Sequence, residues 1–272
     1  MANFVFENKR VYYEEYGQGK PLVILNGIMM SCASWAQFIE PLSANNRLIL
    51  LDFLDQGKSD RMTGQTYEQA LQAEVVKAML DHLGIEKICI VGISYGGEVA
   101  QRFTVNYPER VERLVLFNTT ARTGPWLGDI GEGWNLAAKD WESYYYSTIP
   151  IIYSPAFYVG KNDGMTRRKE VLRGVFSNQD FIQAMIRLTN SARNYDVSGE
   201  ICRITAPTLV VSCQQDYLTP MEEQEFICSQ IPNSKRVILP GSGHASMYEQ
   251  PLVFTALVLG FCNTSKTEFQ IT

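Results

Sequence analysis

The sequence predicts an α/β fold in which a mostly parallel central sheet carries helices on both faces and a helical cap is inserted in the middle of the chain. Three observations support this prediction. Apolar runs of strand length alternate with stretches of helical spacing, as in a parallel sheet that is covered on both faces. One of these runs leads through Gly-x-Ser-x-Gly into a helix. After residue 120, roughly 75 residues pass before the next clear strand.

The first half of the chain is predicted to contain an edge hairpin and four buried strands. Short β-rich runs at residues 4–6 and 11–16, separated by a polar turn, predict the hairpin. Continuous apolar runs predict strands that are buried on both faces, at residues 21–25, 47–52, 88–91 and 113–117. Helical spacing predicts helices at residues 35–42 and 67–83, and Gly84 ends the second of them.

The second half begins with residues 120–195, which we predict to be a mostly helical cap. This segment is rich in aromatic residues, and helical spacing is clear at residues 168–176 and 179–191. The alternation then resumes, with strands at residues 206–212 and 236–239 and helices at residues 221–231 and 252–261. The core domain is therefore predicted to comprise residues 1–119 and 196–263, followed by a polar tail at residues 264–272.

Composition and charge indicate a globular protein that binds a small molecule. The chain has 272 residues, 46% of them hydrophobic, and a formal net charge of −5. This charge provides no basic field for nucleic acid. The N-terminus lacks the pattern of a secretory peptide, and no apolar run approaches membrane-spanning length. We therefore expect a cytoplasmic protein without a nucleic-acid partner or an integral membrane segment, and the sequence does not indicate its oligomeric state.

The cysteine and histidine residues give no sign of a metal site. Six cysteines are scattered along the chain without a Cys-x-x-Cys pair, and there are only two histidines, His82 and His244. Buried, reduced thiols are the expected state, because several of the cysteines lie in apolar patterns. We expect neither a metal ion nor a cofactor.

The stretch at residues 88–100 predicts a nucleophile elbow, a sharp turn between a strand and a helix that lifts a serine clear of its neighbours. The crowded backbone of such a turn tolerates only small residues two positions on either side of Ser94, and Gly92 and Gly96 meet that need. The helix that follows is predicted to be amphipathic, with Glu98 among its polar residues. Its first N–H groups and its dipole can stabilise a developing oxyanion beside the serine.

Two further residues can complete the proton path that a serine nucleophile needs. Asp216 and His244 each follow a predicted strand, and the carboxyl ends of parallel strands meet at one edge of the sheet. Ser94, Asp216 and His244 can therefore come together. In that arrangement His244 is the general base that takes the serine proton, and Asp216 holds its tautomer. His82 lies inside a predicted helix and is expected to be structural.

These motifs, in this order, resemble the α/β-hydrolase superfamily over nearly the whole chain. The resemblance rests on Leu25-Asn26-Gly27, residues 52–59, Gly92-Ile93-Ser94-Tyr95-Gly96-Gly97, residues 207–216 and Pro240-Gly241-Ser242-Gly243-His244. The chain order Ser, Asp, His is also that of this superfamily. The loop that begins at Asn26 is similar, in part, to superfamily enzymes that transfer 3-hydroxyacyl chains or depolymerise polyhydroxyalkanoates. The resemblance implies an α/β-hydrolase fold with an inserted helical cap.

The resemblance also implies which residues surround the reacting carbonyl group. The oxyanion hole would use the backbone N–H groups of Tyr95 and Ile28. Most members of the superfamily have His-Gly where this chain has Asn26-Gly27, so Asn26 takes the place of that histidine. A small-molecule acyl substrate would lie in an apolar slot. We expect the substrate pocket to be lined by Asn26, Met29, Met30, Trp126, Trp134 and Trp141.

Together these features predict a serine hydrolase that cleaves a carboxylic ester or thioester of a small apolar acyl substrate through an acyl-enzyme. An acyltransferase that moves a (3-hydroxy)acyl chain would use the same three residues, with an alcohol or thiol in place of water. A third alternative is a non-catalytic, ligand-binding member of the fold. The sequence does not separate the first two, and the complete set of Ser94, Asp216 and His244 argues against the third.

Overall fold

The computed structural model describes residues 2–264 and contains one sheet of eight strands. In chain order they are β1 (Ala2–Phe6), β2 (Lys9–Tyr16), β3 (Lys20–Leu25), β4 (Asn46–Leu51), β5 (Ile88–Ile93), β6 (Val111–Phe117), β7 (Thr208–Cys213) and β8 (Ser234–Leu239). Across the sheet the order is β1-β2-β4-β3-β5-β6-β7-β8; the β1–β2 and β2–β4 pairs are antiparallel and the others are parallel. The predicted α/β fold is confirmed. The predicted polar tail, apart from Thr264, lies outside the described residues.

Eleven α-helices accompany the sheet within the described residues. They are α1 (Ile39–Ser43), α2 (Ala70–His82), α3 (Tyr95–Asn106), α4 (Pro125–Ala137), α5 (Trp141–Ile152), α6 (Pro155–Gly160), α7 (Asn162–Phe176), α8 (Gln179–Ser191), α9 (Met221–Gln230), α10 (Ser246–Glu249) and α11 (Pro251–Asn263). Helices α4 to α8 lie between β6 and β7, and we call residues 125–191 the helical insertion. In the part of the chain that the structure describes, no helix is long and apolar enough to cross a bilayer.

The central strands are buried on both faces of the sheet. In β5, Ile88 and Ile90 pack into the apolar cluster on one face, whereas Cys89 and Val91 pack into the cluster on the other face. In β3 the side chains at residues 22–25 alternate in the same way. Burying one large apolar side chain contributes about 1.5–3 kcal/mol. The carboxyl ends of β3 and β5 are therefore firmly held.

The connections between strands change direction across the sheet at β3. This strand pairs with β4 on one side and with β5 on the other. The loops that follow β3 and β5 consequently separate and leave a crevice at the carboxyl edge of the sheet, where ligands bind in open α/β sheets. Gly27 and Ile28 lie in the first of these loops, and Ser94 directly follows β5.

The segment predicted as a helix at residues 35–42 is only partly α-helical. It forms a 3₁₀-helix at Cys32–Phe38, followed by the short helix α1. Pro41 lies in the first turn of α1 and has no N–H group, so it cannot donate to the carbonyl group four residues earlier. A single regular α-helix therefore cannot run through this segment.

Helix α2 begins at Ala70, three residues later than the helical spacing predicts. The preceding residues are held by contacts with other parts of the chain. The Tyr67 hydroxyl donates to Asp55, and the Gln69 N–H donates to the Ser191 carbonyl oxygen. These tertiary hydrogen bonds replace the first turn of the helix.

The six cysteines are all unpaired, but they are not all buried. Cys32, Cys89, Cys213 and Cys262 are buried, Cys228 is half-buried and Cys202 is exposed. The prediction of a buried thiol is therefore wrong for Cys202. It lies in the 3₁₀ turn Ile201–Arg203, where Ile201 occupies the buried position instead.

Candidate active site

Ser94 lies at the turn between β5 and α3, in a conformation that residues other than glycine rarely adopt. Its φ is 53° and its ψ is −121°, which is backbone strain that the surrounding packing must hold. A Cβ atom on Gly96 would lie 2.2 Å from the Leu25 carbonyl oxygen, and one on Gly92 would lie 2.5 Å from the Gly96 carbonyl oxygen. Both positions therefore require glycine, as the elbow motif predicts.

The structure brings Ser94, His244 and Asp216 together in one chain of hydrogen bonds. His244 Nε2 lies 2.9 Å from Ser94 Oγ. His244 Nδ1 lies 2.8 Å and 3.0 Å from the two carboxylate oxygens of Asp216. These distances are those of hydrogen bonds. The imidazole can therefore accept the serine proton at Nε2 while its Nδ1 donates to Asp216.

Asp216 follows β7 in a buried site that favours its ionised form. Its carboxylate accepts from the N–H groups of Leu218 and Thr219 and from the Thr219 hydroxyl. Burial by itself raises the pKa of this carboxyl. The charge of His244 and the hydrogen bonds from His244, Asn118 and Thr219 outweigh that effect, so that the pKa of Asp216 lies below its usual value of 3.8. Asp216 is therefore an anion at neutral pH.

Asn118 contacts this group, although the sequence pattern did not single it out. It directly follows β6 and has a φ of 49°. Its Nδ2 donates to Asp216 Oδ2 at 2.8 Å, and its Oδ1 accepts from the Ser246 hydroxyl at 2.8 Å. Asn118 thus fixes the orientation of the carboxylate. Its position at the end of a predicted strand was the one available signal.

Tyr95 and Ile28, whose N–H groups are predicted to form the oxyanion hole, both border the space beside Ser94. The loop after β3 passes directly beside the serine, because a Cβ atom on Gly27 would lie 3.6 Å from Ser94 Cβ. Among the described residues, neither N–H group has a hydrogen-bond acceptor. Both groups are therefore available to an oxygen atom that binds there.

A buried network of amides holds the loop after β3. Gln56 Nε2 donates to the carbonyl oxygens of Gly27 and Ile28, at 2.9 Å and 3.1 Å. Asn26 Nδ2 donates to Gln56 Oε1 at 3.2 Å, and Trp35 Nε1 donates to Asn26 Oδ1 at 2.7 Å. Gln56 was not identified from the sequence, because nothing in the local pattern shows that its side chain reaches back to this loop.

Two cavities meet at Ser94 and His244. The Glu98 cavity is bordered by Glu98, Thr123, Leu127, Trp134 and Asn135, among others. The Arg168 cavity is bordered largely by apolar side chains, including Met29, Met30, Leu172 and Phe176, together with Arg168. The helical insertion contributes to the walls of both cavities, and together they provide space on two sides of the serine.

Three of the six predicted pocket residues line these cavities. Met29 and Met30 border the Arg168 cavity. Trp134 borders both cavities, and its Nε1 donates to the Ser147 carbonyl oxygen at 3.1 Å. This hydrogen bond ties the indole to α5 and thus fixes the shape of the space on either side.

The prediction that Asn26, Trp126 and Trp141 line the pocket is wrong. The side chain of Asn26 is used in the amide network behind the loop. Trp126 is 60% exposed, and its Nε1 donates to the Tyr217 carbonyl oxygen at 2.7 Å. Trp141 lies at the start of α5, where the Arg173 guanidinium is 5.3 Å from its ring. An aromatic composition alone could not show which face of each helix points toward the serine.

Glu98 is a second residue of the site whose place the sequence did not reveal. Helix α3 is buried along nearly its whole length, so Glu98 does not face solvent and is only 4% exposed. Gln69 Nε2 donates to Glu98 Oε2. Burial raises the pKa of Glu98 to about 8, and the hydrogen bond from Gln69 opposes that shift.

A metal site is not evident in the described part of the chain. Within residues 2–264, no group of three or more histidine, cysteine, aspartate and glutamate side chains is placed to hold a metal ion.

Comparison with known sequences agrees with this architecture. A family model described as alpha/beta hydrolase fold matches residues 20–251. The 2-hydroxy-6-oxononadienedioate/2-hydroxy-6-oxononatrienedioate hydrolase of Paraburkholderia phymatum is 28% identical over 264 residues, which cover 93% of this chain and 90% of that enzyme.

Two solved structures are similar over nearly the full length. MGS-M2, an alpha/beta hydrolase enzyme from a Medee basin deep-sea metagenome library, is 46% identical with a TM-score of 0.97, and the match covers 99% of this chain and 100% of that chain. A hydrolase from Pseudomonas aeruginosa PA01 is 26% identical with a TM-score of 0.85, and the match covers 97% and 98% of the two chains. The chain therefore belongs to the alpha/beta hydrolase family and is an enzyme of the hydrolase class.

Proposed function

We propose that this enzyme is a serine hydrolase that cleaves a carboxylic ester or thioester of a small apolar acyl substrate through an acyl-enzyme. The observation that carries the proposal is the hydrogen-bond chain from Ser94 through His244 to Asp216, in which Ser94 Oγ lies 2.9 Å from His244 Nε2. This chain lies where two cavities meet. A hydroxyl beside a general base and two N–H donors is suited to acyl transfer.

The first half of the reaction forms the acyl-enzyme. Ser94 Oγ attacks the carbonyl carbon and its proton passes to His244 Nε2, while the carbonyl oxygen becomes an oxyanion that the N–H groups of Tyr95 and Ile28 stabilise. The intermediate then collapses, the bond to the alcohol or thiol breaks, and that group leaves with the proton from His244. Asp216 stays ionised and stabilises the imidazolium.

The second half of the reaction returns the enzyme to its starting state. Water attacks the carbonyl carbon of the acyl group on Ser94 and gives a proton to His244 Nε2. When this second intermediate collapses, the bond to Ser94 Oγ breaks and the serine oxygen takes the proton back. The products are a carboxylic acid and the alcohol or thiol released earlier.

The Arg168 cavity supports an apolar acyl group as the substrate. Its walls are formed by Met29, Met30, Leu172, Phe176 and other apolar side chains. An acyl chain placed here would lose water-exposed apolar surface on binding, which stabilises the complex in proportion to the buried area.

The proposal is tested with a panel of nitrophenyl esters and acyl thioesters of graded acyl length. We expect hydrolysis that Ser94→Ala lowers by about 10⁴-fold or more in kcat/KM. The intact wild-type protein should also show the added mass of an acyl group, which Ser94→Ala should lack. Ser229→Ala, which changes an exposed serine of α9, is the control and should retain wild-type activity.

Three outcomes would contradict parts of the proposal. Wild-type activity in Ser94→Ala would exclude Ser94 as the nucleophile. Faster transfer of the acyl group to an added 3-hydroxyacyl acceptor than to water would favour the acyltransferase instead. Failure of a fluorophosphonate to label Ser94, together with binding but no turnover of the panel, would favour a ligand-binding protein.

A further inference from the structure

Glu98 places a buried carboxyl group in the wall of the cavity that contains the reacting serine. It lies one helical turn after Ser94 on α3, and both residues border the Glu98 cavity together with His244. The proposed chemistry does not use this carboxyl group. A buried carboxyl group is costly unless it is neutral or paired, so its presence beside the serine calls for an explanation.

Few groups compensate for the burial of this carboxyl. Gln69 Nε2 donates to Oε2, and among the described residues Oε1 has no hydrogen-bond partner and neither oxygen is paired with a cation. The Tyr95 hydroxyl is bonded to the Ser191 hydroxyl instead, at 2.9 Å. The Tyr195 hydroxyl, which the Glu98 carboxyl influences, is buried without a partner among the described residues.

The charged groups around Glu98 are engaged elsewhere. Besides burial, the charge of Asp55 raises the pKa of Tyr95, but Asp55 is itself paired with Arg187 at 2.5 Å. Against the effect of burial, the charge of Arg102 lowers the pKa of Tyr195, but Arg102 is itself paired with Glu200 at 2.8 Å. Like burial, the charge of Asp196 raises the pKa of Tyr195, and Asp196 accepts hydrogen bonds from the N–H group and the hydroxyl of Ser198. On the cavity side, Glu132 is paired with Arg193, and His244 is bonded to Asp216 and Ser94.

The protonation state of Glu98 follows from these surroundings. Burial raises the pKa of Glu98 to about 8, although the hydrogen bond from Gln69 lowers it. At neutral pH the group is therefore mostly a neutral carboxylic acid, which can donate one hydrogen bond as well as accept others. Above that pKa it becomes a carboxylate, which only accepts.

We infer that Glu98 is a specificity-determining residue whose neutral carboxyl group donates a hydrogen bond to an uncharged oxygen atom of the substrate, such as an ether, hydroxyl or carbonyl oxygen. This oxygen lies on the part of the substrate that occupies the Glu98 cavity, while the apolar part occupies the Arg168 cavity. The inference rests on the proposed function, because it assigns a substrate class to the same site. A site built to bond an oxygen atom rejects an apolar analogue, since its own polar group is then left unpaired.

Matched pairs of esters test the inference, because an ether oxygen and a methylene group have nearly the same shape. One pair has the oxygen on the alcohol side, as 2-methoxyethyl and n-butyl esters of one acid. The other has it on the acyl side, as ethyl 3-methoxypropanoate and ethyl pentanoate. In one of the two pairs we expect wild-type kcat/KM to favour the ether by about tenfold at pH 7, chiefly through KM.

The pH dependence of this preference separates a binding role from a structural one. The ratio of kcat/KM within a pair cancels every titration that both esters share. We expect the wild-type ratio to fall toward one as pH rises through about 8, because the ionised Glu98 cannot donate. Glu98→Gln keeps a donor and should keep the preference at all pH values, whereas Glu98→Leu should lose it. Glu132→Gln, at the exposed edge of the same cavity, should retain the wild-type pH dependence.

Two results would overturn the inference. One is a ratio near one in both pairs for the wild type at pH 7, and the other is an unchanged ratio in Glu98→Leu. If no ester is hydrolysed, the proposed function fails, and binding of the same pairs to Ser94→Ala, measured by calorimetry at pH 7 and pH 9.5, still decides the inference. If Glu98→Leu does not fold, the Glu98→Gln profile is decisive: a fall with pH like that of the wild type would contradict the inference.

Discussion

The Gln56 side chain shows how one buried amide can hold the loop that carries a proposed oxyanion donor. Its Nε2 bonds both carbonyl oxygens of the loop that carries the Ile28 N–H group, and its Oε1 accepts from Asn26. The position of one proposed oxyanion donor therefore depends on a side chain that comes from the loop after β4. Donors of this kind are effective only when they are held in place before the reaction.

We predict that Gln56→Leu lowers kcat by up to about 10²-fold, because a displacement of about 1 Å at a reacting group has an effect of that size. KM should change less, since Gln56 Nε2 and Oε1 bond the loop rather than the space where substrate binds. Steady-state kinetics on the best ester of the panel, with circular dichroism as a check on folding, gives the answer. Gln65→Ala, at an exposed position, is the control. A kcat within twofold of the control would exclude this positioning role.

A second prediction concerns the stability that burial of Glu98 costs. The folded-state pKa of about 8 lies above the usual 4.5, so between these values the folded chain binds a proton that the unfolded chain has lost. The free energy of unfolding must therefore decrease as pH rises through this window. In Glu98→Gln this decrease is absent. The free energy of unfolding of the variant should therefore rise relative to that of the wild type by up to about 1.4 kcal/mol per pH unit.

Urea denaturation of both proteins at pH 5.5 and pH 7.5 measures this gain. The relevant quantity is the difference in free energy of unfolding between Glu98→Gln and the wild type, because the contributions of the titrating groups that both proteins share cancel in this difference. A difference that stays constant between the two pH values would show that Glu98 is already ionised in the folded protein.

The meeting of the three residues proposed to react was predictable from the sequence, whereas the side chains that hold them were not. Ser94, Asp216 and His244 each follow a strand whose apolar run is easy to recognise, so their meeting point follows from the parallel sheet. Asn118 and Gln56 act through side-chain hydrogen bonds across the fold. Sequence spacing carries no information about such contacts, and the polar character of Glu98 even indicated the opposite of its actual burial.

At the scale of elements, the turn between β5 and α3 is held in place by contacts that leave no room for side chains. Gly96 faces the Leu25 carbonyl oxygen at the end of β3, and a Cβ atom there would lie 2.2 Å away. The backbone of β3 cannot move aside without disturbing the parallel pairing with β4 and β5. The strain at Ser94 is thus maintained by two strands together.

We predict that Gly96→Ala lowers the free energy of unfolding by about 1–3 kcal/mol or more, because overpacking forces the backbone to shift. The matched control is Gly174→Ala in α7, where no atom lies within 4 Å of the added Cβ position. There the substitution should stabilise the helix by about 0.5–1 kcal/mol. Chemical denaturation of both variants measures the two effects, and equal values of the same sign would contradict the steric argument.

The elements that matched prediction are those determined by their own sequence. Strands β3, β5, β6 and β7 each contain a recognisable apolar run, and the structure places strands there. The starts of α1 and α2 differ from prediction because Pro41 and the hydrogen bonds of Tyr67 and Gln69 decide them. Helices α4 to α6 were expected only as part of a mostly helical segment, since their aromatic residues show no single face.

At the scale of the whole molecule, two ion pairs join the helical insertion to the loop after β4. Arg187 on α8 donates to both carboxylate oxygens of Asp55, with Nη2 at 2.5 Å from Oδ1 and Nε at 3.0 Å from Oδ2. The Asp55 side chain is 0% exposed. Arg61 and Asp180 form the second pair at 3.0 Å, but the Asp180 side chain is 61% exposed. Only the first pair contains a fully buried carboxylate, so we expect its loss to cost more stability than the loss of the second pair.

We predict that Arg187→Met lowers the free energy of unfolding by about 3–5 kcal/mol, because it leaves the buried carboxylate of Asp55 without its cation. Arg61→Gln, the control at the exposed pair, should cost no more than about 1 kcal/mol. In the double variant Asp55→Asn with Arg187→Met, part of the loss should be recovered, since the uncompensated charge is gone. Urea denaturation at pH 7 compares all three. Similar losses in Arg187→Met and Arg61→Gln would show that the buried pair contributes no more to the free energy of unfolding than the exposed pair.

Trp134 contributes to the walls of both cavities and is bonded to α5. If a substrate extends to both sides of Ser94, this one indole limits the bulk of both of its limbs. A smaller residue at this position would enlarge both cavities at once, so it could not extend the range of accepted acyl groups without also changing the space on the other side of Ser94. Leu172 and Phe176 border the Arg168 cavity and not the Glu98 cavity. Substitutions at these two positions would therefore change the space for the acyl part of such a substrate alone.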